Sequence, residues 1–222
     1  ALDAIGGPSV PQGMERLIND PAPAIRKQAL RAVGIRHQAF SLIPRVIAHL
    51  QDVSPSVRKE AAIALGRFAV PETTSPLLDS LDDPDEWVAW SVREAIKRID
   101  HWDAPLLAKQ LLTSRGRKQQ ALIWLLEDIW SEKVVDTWNL VIDQTESTEL
   151  RHTAFQMLSH LYYQYPAWDD SWFGTNPLIG EQPKRTTPWS DSAMKKIIQT
   201  LSWELRKRSP VDRMIIVSSL AT

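Results

Sequence analysis

Residues 50–66 read LQDVSPSVRKEAAIALG, and the same pattern recurs on both sides of this stretch. At an offset of 32 residues toward the N-terminus the residue types repeat: Asp52, Val57, Arg58, Ala61, Ala64, Leu65 and Gly66 correspond to Asp20, Ile25, Arg26, Ala29, Ala32, Val33 and Gly34. At 31 residues toward the C-terminus they repeat again as Asp83, Val88, Val92, Ala95 and Ile96, with Ala89 in place of the arginine and Lys97 in place of the glycine. A period in the low thirties built from two helices indicates an α-solenoid.

The period predicts an all-α fold, a right-handed α-solenoid of about six helix pairs. Apolar residues at helical spacing place the helices of the first four pairs. The expected ranges are 10–34, 39–50 with 54–68, 76–81 with 85–99, and 105–112 with 117–129. A fifth pair is recognised at Leu150, Arg151 and Ala154, and Ser190 and Ser209 begin the final helices.

Composition bounds the class of protein. The chain has 222 residues, 43% of them hydrophobic and 24% charged, as in ordinary globular proteins, and no apolar run is long enough for a membrane helix. A formal net charge of −1 gives no overall field for nucleic acid, and the absence of cysteine excludes disulfides and thiolate sites. We therefore expect no membrane insertion and no nucleic-acid partner.

The helical period stops at residues 165–189. This segment contains four prolines, two glycines and three tryptophans, and its aromatic content argues against disorder. Loops of this length are usually functional or folded into Ω-type excursions. The expected organisation is repeats over 1–164, an inserted Trp/Pro/Gly-rich loop over 165–189, and final helices over 190–222.

Both ends of the sequence look internal to a repeat array. Leu2, Ile5 and Gly6 reproduce the end of a second helix, so the chain is expected to start in mid-repeat. The apolar residues 214–220 lack the polar outer face that a terminal repeat needs. This pattern favours a segment of a longer multidomain polypeptide.

The order of aspartate, Val-Arg, alanine and Leu-Gly resembles the HEAT repeat, in particular its short bacterial type, over about residues 17–164. That resemblance implies an armadillo-like stack in which Asp and Arg side chains of successive repeats form a ladder at the inter-repeat turns. The residues that fit the ladder are Asp20, Arg26, Asp52, Arg58 and Arg151, while Ala89 departs from it.

A second resemblance concerns the loop. Trp172, Phe173, Gly174 and Thr175, followed by Pro177, Gly180 and Trp189, are similar to a Trp-x-Gly-Thr-x-Pro signature of large exported bacterial proteins. Those proteins combine a dehydrogenase-like propeller, HEAT-like repeats and a c-type cytochrome segment. The resemblance implies a periplasmic or extracellular location and places redox chemistry in neighbouring segments. Asn176 and Leu178 depart from the signature, and the chain has no haem attachment motif.

No pattern in the sequence indicates catalysis, so we expect this segment not to be an enzyme and to hold no cofactor or metal. The five histidines form no metal-binding pair of the His-Glu-x-x-His type. The acidic residues 82–86 are better explained as helix caps than as a cation site. One catalytic alternative is a HEAT-like DNA glycosylase using Trp87, Trp90 and Asp83 or Asp85, but it needs a basic groove that the balanced charge does not suggest.

Tryptophans are the candidate interaction residues. Trp87 and Trp90 lie off the apolar stripe of their helix, so they either pack between repeats or form an exposed aromatic pair. In the loop, Trp168, Trp172, Phe173 and Trp189 either fasten the loop to the solenoid or dock a neighbouring domain.

The sequence thus favours a noncatalytic scaffold or protein-interaction module within a larger protein. Its expected partner is a protein or a neighbouring domain of the same polypeptide. The alternatives are an accessory domain of a haem-linked sugar-dehydrogenase-like protein and the DNA glycosylase.

Overall fold

A computed structural model describes residues 10–36, 40–167 and 185–219, and twelve α-helices span these ranges. The helices are α1 (Val10–Ile18), α2 (Pro23–Arg36), α3 (Ile43–Ala48), α4 (Pro55–Phe68), α5 (Thr74–Asp79), α6 (Glu86–Ile99), α7 (Ala104–Thr113), α8 (Gly116–Glu127), α9 (Glu132–Gln144), α10 (Thr148–His160), α11 (Asp191–Lys207) and α12 (Pro210–Ser219). Short 3-10 turns cover Phe40–Leu42, His49–Gln51 and Pro71–Thr73. The described ranges contain no β-strand beyond one isolated bridge, which confirms the all-α helical-repeat prediction. None of the helices in these ranges is long and apolar enough to cross a membrane.

Several helices begin at a residue whose side chain caps them. Asp85 accepts hydrogen bonds from the N–H groups of Trp87 and Val88, which confirms that this acidic turn caps a helix. Ser190 caps α11 through the N–H of Ala193, also as predicted. Two helices end in the left-handed conformation that closes a helix, at Ala69 and Asp100.

The chain divides into two compact units. The first consists of residues 1–102 and 115–125, and the second of residues 103–114 and 126–222. Helices α1 to α6 and most of α8 therefore belong to the first unit, and α7 and α9 to α12 belong to the second.

In the first unit the second helices of successive pairs pack side by side. Helix α2 packs along α4, and α4 along α6. A Cβ added at Gly34 would lie 2.8 Å from the Cα of Ala64, and one at Gly66 would lie 2.8 Å from the Cα of Ala95. Because only glycine allows backbones this close, the glycine repeated at this position sets the spacing of α2, α4 and α6.

The next step of the stack is different. Lys97 stands where Gly34 and Gly66 stand in the earlier repeats, and α6 and α8 approach each other closely at few backbone positions. The sequence departure noted at Lys97 therefore coincides with the end of close helix packing in this unit.

In the second unit, α9 packs against α7, α10 and α11, and α10 also packs against α12. Trp138 and Phe155 are fully buried in its core. Polar contacts join its later helices: His152 and Asp212 lie 2.7 Å apart between α10 and α12, and the Lys196 ammonium donates to the Asp136 carboxylate at 2.8 Å between α11 and α9.

The described residues on either side of 168–184 contact each other. Gln164 and Thr187 form an antiparallel bridge through two backbone hydrogen bonds of 3.0 and 3.1 Å. Two indole N–H groups donate to backbone carbonyls nearby, Trp189 to Leu161 at 2.7 Å and Trp130 to Tyr163 at 3.1 Å. The chain thus enters and leaves the segment between these residues at one closed neck.

Candidate functional site

The turns of the first unit are joined by two arginine–aspartate pairs. The Arg26 guanidinium donates to both carboxylate oxygens of Asp52 at 2.8 Å, and Arg58 does the same to Asp83 at 2.7 and 2.9 Å. Each pair is bidentate and connects one repeat to the next. Asp83 therefore belongs to the ladder, although it was not among the ladder residues expected from the sequence.

A second set of contacts ties each arginine to its own turn. The Nη1 of Arg26 donates to the carbonyl of Asp20 at 2.9 Å, and that of Arg58 donates to the carbonyl of Asp52 at 2.9 Å. Arg151 makes the same contact with the carbonyl of Thr145, six residues before it. Because a threonine replaces the aspartate at this turn, the ladder in the second unit has a different composition.

Ala89 lacks the guanidinium that the earlier repeats place at its position, and another residue fills that role. The Nη2 of Arg117, at the start of α8, donates to the carbonyls of Asp83 at 2.7 Å and Pro84 at 3.2 Å. These two carbonyls are equivalent to the ones that Arg26 contacts at Asp20 and Pro21. The repeat alignment could not predict that Arg117 takes the place of an arginine at position 89, since Arg117 belongs to the following helix pair.

Asp52 has a strongly perturbed pKa. Burial acts to raise the pKa of its carboxyl group, but hydrogen bonds from Arg26, the Ser54 N–H and His49 outweigh burial and lower the pKa to about 2. The Asp52 carboxylate in turn raises the pKa of Arg26 through their hydrogen bonds. Asp52 is therefore a structural anion and not a proton donor or acceptor near neutral pH.

The tryptophans of α6 lie at the surface. Trp87 is 70% exposed and Trp90 is 50% exposed, so the interpretation that these rings pack between repeats is wrong. The face of α6 that meets its neighbour carries small residues instead, including Ala95 against Gly66 and the buried Ser91. Bulky rings do not fit between helices this close, so they occupy the solvent-facing side.

A third exposed tryptophan lies on α8. Trp124 on α8 is 50% exposed, and the guanidinium carbon of Arg93 lies 5.7 Å from the centre of its ring. This is a cation–π contact. Neither Trp124 nor Arg93 was predicted from the sequence. Trp124 is exposed although the residues on both sides of it in α8, Ala121 and Leu122 before it and Leu125 and Leu126 after it, are buried.

Charge is unevenly distributed between the helices and the turns of this unit. Helices α2, α4, α6 and α8 carry twelve basic and four acidic residues, although the whole chain carries 26 and 27. The aspartates concentrate in the turns, where the ladder and the helix caps use them. Several of these basic residues contact the turns or pair with acids, as Arg26, Arg58 and Arg117 do at the turns, but Lys27, Arg31, Lys59 and Arg98 have no ion pair within the described residues.

Because α2, α4 and α6 pack side by side, residues at equivalent positions of successive repeats form a row that crosses the three helices. Lys27, Lys59 and Trp90 occupy one row, and Arg98 lies two turns further along α6. We call the solvent-facing side of α2, α4 and α6, with its cations and tryptophans, the basic tryptophan surface. Its members are Lys27, Arg31, Lys59, Trp87, Trp90 and Arg98.

The other predicted candidates lie elsewhere. Trp189 is half-buried at the neck of the inserted loop, while Trp168, Trp172 and Phe173 fall outside the described residues, as does most of the loop signature. Residues 10–36, 40–167 and 185–219 contain no group of three or more potential metal ligands.

Comparison with known proteins agrees with the helical-repeat class that this geometry defines. Residues 10–97 match the family model described as HEAT repeats. This match covers the first three helix pairs and agrees with the resemblance found in the sequence. No curated protein sequence matches the chain significantly.

Among solved structures, the chain is similar to human deoxyhypusine hydroxylase in complex with glycerol, with 18% identity and a TM-score of 0.41 over 99% of this chain and 86% of that one. It is also similar to two engineered proteins. One has 14% identity and a TM-score of 0.41 over 95% of both chains, and the other has 17% identity and a TM-score of 0.39 over 95% of this chain and 57% of that one. Similarity at this level does not transfer a function.

Proposed function

We propose that the chain is a noncatalytic protein-interaction module that binds its partner on the basic tryptophan surface. The observation that carries the proposal is the exposure of Trp87 and Trp90 on one helix of a HEAT-repeat stack. Tryptophan and arginine are the residues most enriched among interface hot spots, where truncation of one side chain costs about 2 kcal/mol or more of binding free energy.

The rigidity of the surface supports the same proposal. Gly34 and Gly66 hold three helices in close contact beneath it, and the Arg26–Asp52 and Arg58–Asp83 pairs fix the turns at their ends. A partner that binds there meets side chains on helices that are already ordered. Such preorganisation lowers the entropic cost of association.

Peptide selection tests the proposal without assuming the identity of the partner. A random peptide library displayed on phage is selected on the wild-type protein, and enriched peptides are then measured on the Trp87→Ala/Trp90→Ala variant. We expect their affinity to fall by about tenfold or more, because both aromatic contacts are lost.

The matched control is Trp203→Ala, which removes a 61% exposed tryptophan from α11 in the other unit. Affinities for this variant should stay within about twofold of the wild type, because Trp203 does not belong to the surface. If the selected peptides bind all three proteins equally, or if no peptide is enriched, this surface is not the docking site. Circular dichroism of each variant establishes that its helices remain folded.

A further inference from the structure

We infer that the partner segment recognised by the basic tryptophan surface is an extended acidic peptide that also carries apolar side chains. This inference rests on the proposed function, since it specifies the partner class for the same site. It follows from the charge, spacing and exposure of the residues that form the surface.

The cations of the surface are available to a ligand. Lys59 and Lys27 are half-buried and Arg31 and Arg98 are exposed, and within the described residues none of the four has an ion pair. The nearby acids of the turns are engaged by other groups, as Asp52 is by Arg26 and His49. An acidic ligand therefore does not have to displace an existing salt bridge.

The spacing of the helices suits an extended chain. Packed helices lie about 8 to 10 Å apart, so the row from Lys27 through Lys59 to Trp90 covers two such steps. An extended peptide rises about 3.3 Å per residue, and about six residues span the row. Because alternate side chains of a strand point the same way, acidic residues can face the lysines while an apolar side chain reaches the tryptophans.

The remaining composition of the surface favours a peptide over nucleic acid. Glu86 and Glu94 lie on α6 beside the tryptophans and repel any anion placed there, so a ligand needs its negative charges opposite Lys27, Arg31 and Lys59 and an apolar group opposite the tryptophans. Glu94 also takes up one of the cations of this helix, since it pairs with Lys97 at 3.1 Å. On α2, Ile35 is 57% exposed and offers an apolar contact. A peptide can place acidic and apolar side chains on the same face to match this mixture, whereas a backbone with one phosphate per nucleotide cannot.

Fluorescence anisotropy with three defined probes tests the inference. The first probe is a labelled peptide of about 12 residues in which glutamates, a leucine and a phenylalanine share the alternate positions that face one side of a strand, with serines between them, and it is long enough to span the row about twice. The second has glutamine in place of each glutamate, and the third is a single-stranded oligothymidine of similar length. The variants are Trp87→Ala/Trp90→Ala and Lys59→Glu/Arg98→Glu, with Lys109→Glu on α7 as the control for reversing an exposed charge elsewhere.

We expect the acidic peptide to bind the wild type about tenfold or more tighter than the glutamine peptide, with an affinity that falls as salt is added. The tryptophan and charge-reversal variants should each weaken binding about tenfold, while Lys109→Glu should change it less than about twofold.

Three outcomes overturn the inference. Equal binding of the glutamine peptide, still lost with Trp87→Ala/Trp90→Ala, means that the site docks apolar segments, so the proposed function stands and the acidic partner does not. Tighter binding of oligothymidine with the same variant sensitivity identifies a nucleic-acid surface. Failure of both peptides removes the acidic partner, and the display selection, which assumes no charge, then decides separately whether the surface binds proteins.

Discussion

The Asp52 carboxylate accepts more hydrogen bonds than any other carboxylate described at the turns of the first unit. It accepts both donors of Arg26, the backbone N–H of Ser54 at 2.9 Å and a ring N–H of His49 at 3.3 Å. Its side chain is only 6% exposed. A carboxylate with this many donors in a nearly dry position stabilises the link between two repeats.

We expect Asp52→Asn to lower the free energy of unfolding by about 2 kcal/mol, because the amide cannot accept two donors from Arg26 and leaves a cation without its counter-charge. Urea denaturation measures the change. The control is Asp79→Asn, which alters a 67% exposed carboxylate and should shift stability by no more than about 0.5 kcal/mol. Equal effects of the two substitutions would mean that the Arg26–Asp52 pair contributes nothing.

The stability of the wild type should also depend on pH through Asp52. Its pKa is about 2 in the folded chain against an ordinary value of 3.8, so the unfolded state binds more protons between these values and stability falls as pH falls through this window. The full contribution, about 2 kcal/mol, is present above about pH 4.

Urea denaturation across this window, wild type against Asp52→Asn, isolates the effect. The difference in unfolding free energy between the two proteins should shrink toward pH 2, because the protonated Asp52 side chain and the asparagine that replaces it are both neutral. A difference that stays constant between about pH 5 and pH 2 would show that Asp52 does not titrate as described.

At the scale of the helices, two glycines that both lie inside a helix have different surroundings. Gly66 in α4 faces the backbone of Ala95, whereas Gly13 in α1 has open space around it. Alanine is favoured over glycine within a helix by about 1 kcal/mol. The two positions therefore separate helix propensity from helix packing.

We expect Gly66→Ala to destabilise the chain by about 1 to 3 kcal/mol, since the added methyl group would overlap a backbone atom that cannot move aside. Gly13→Ala should leave stability unchanged or raise it by up to about 1 kcal/mol. Thermal and urea denaturation measure both. A gain at Gly66 as large as that at Gly13 would mean that α4 and α6 are not held at contact distance by glycine.

The sequence predicted the helices because each repeat places aspartate, arginine, alanine and glycine at the same offsets. It did not predict that Trp87 and Trp90 face solvent, because an off-stripe position can point toward a neighbouring helix or away from it. Which of the two occurs depends on how the helices stack. Gly66 and Ala95 show which side of α6 packs against α4, and that contact is visible only when both helices are placed together.

At the scale of the whole molecule, overall composition conceals how charge is distributed. The nearly equal numbers of basic and acidic residues suggested that no basic face exists. In the structure the turn aspartates Asp52 and Asp83 are paired with arginines, whereas Lys27, Lys59 and Arg98 on the helix faces have no ion pair within the described residues. A count of charges per helix, with the turns set apart, would have found this pattern in the sequence.

A substitution that destabilises one unit should leave the stability of the other unit unchanged. In repeat stacks, stability is a sum of terms between neighbouring repeats. We expect Gly66→Ala to speed amide hydrogen exchange in α2, α4 and α6 and to leave α9 and α10 unchanged, because those two helices belong to the other unit. Mass spectrometry of peptic peptides resolves these helices. Equal acceleration in both units would indicate a single cooperative transition.

The separation of charge in the first unit also affects how a partner arrives. Lys27, Arg31, Lys59 and Arg98 have no ion pair within the described residues, so they give this surface a local positive potential although the net charge of the chain is −1. Such a potential attracts an approaching acidic protein toward this surface before contact. Association should therefore be fast at low ionic strength and slow as salt is added, even though the isoelectric point near 6.6 suggests an electrostatically inert molecule.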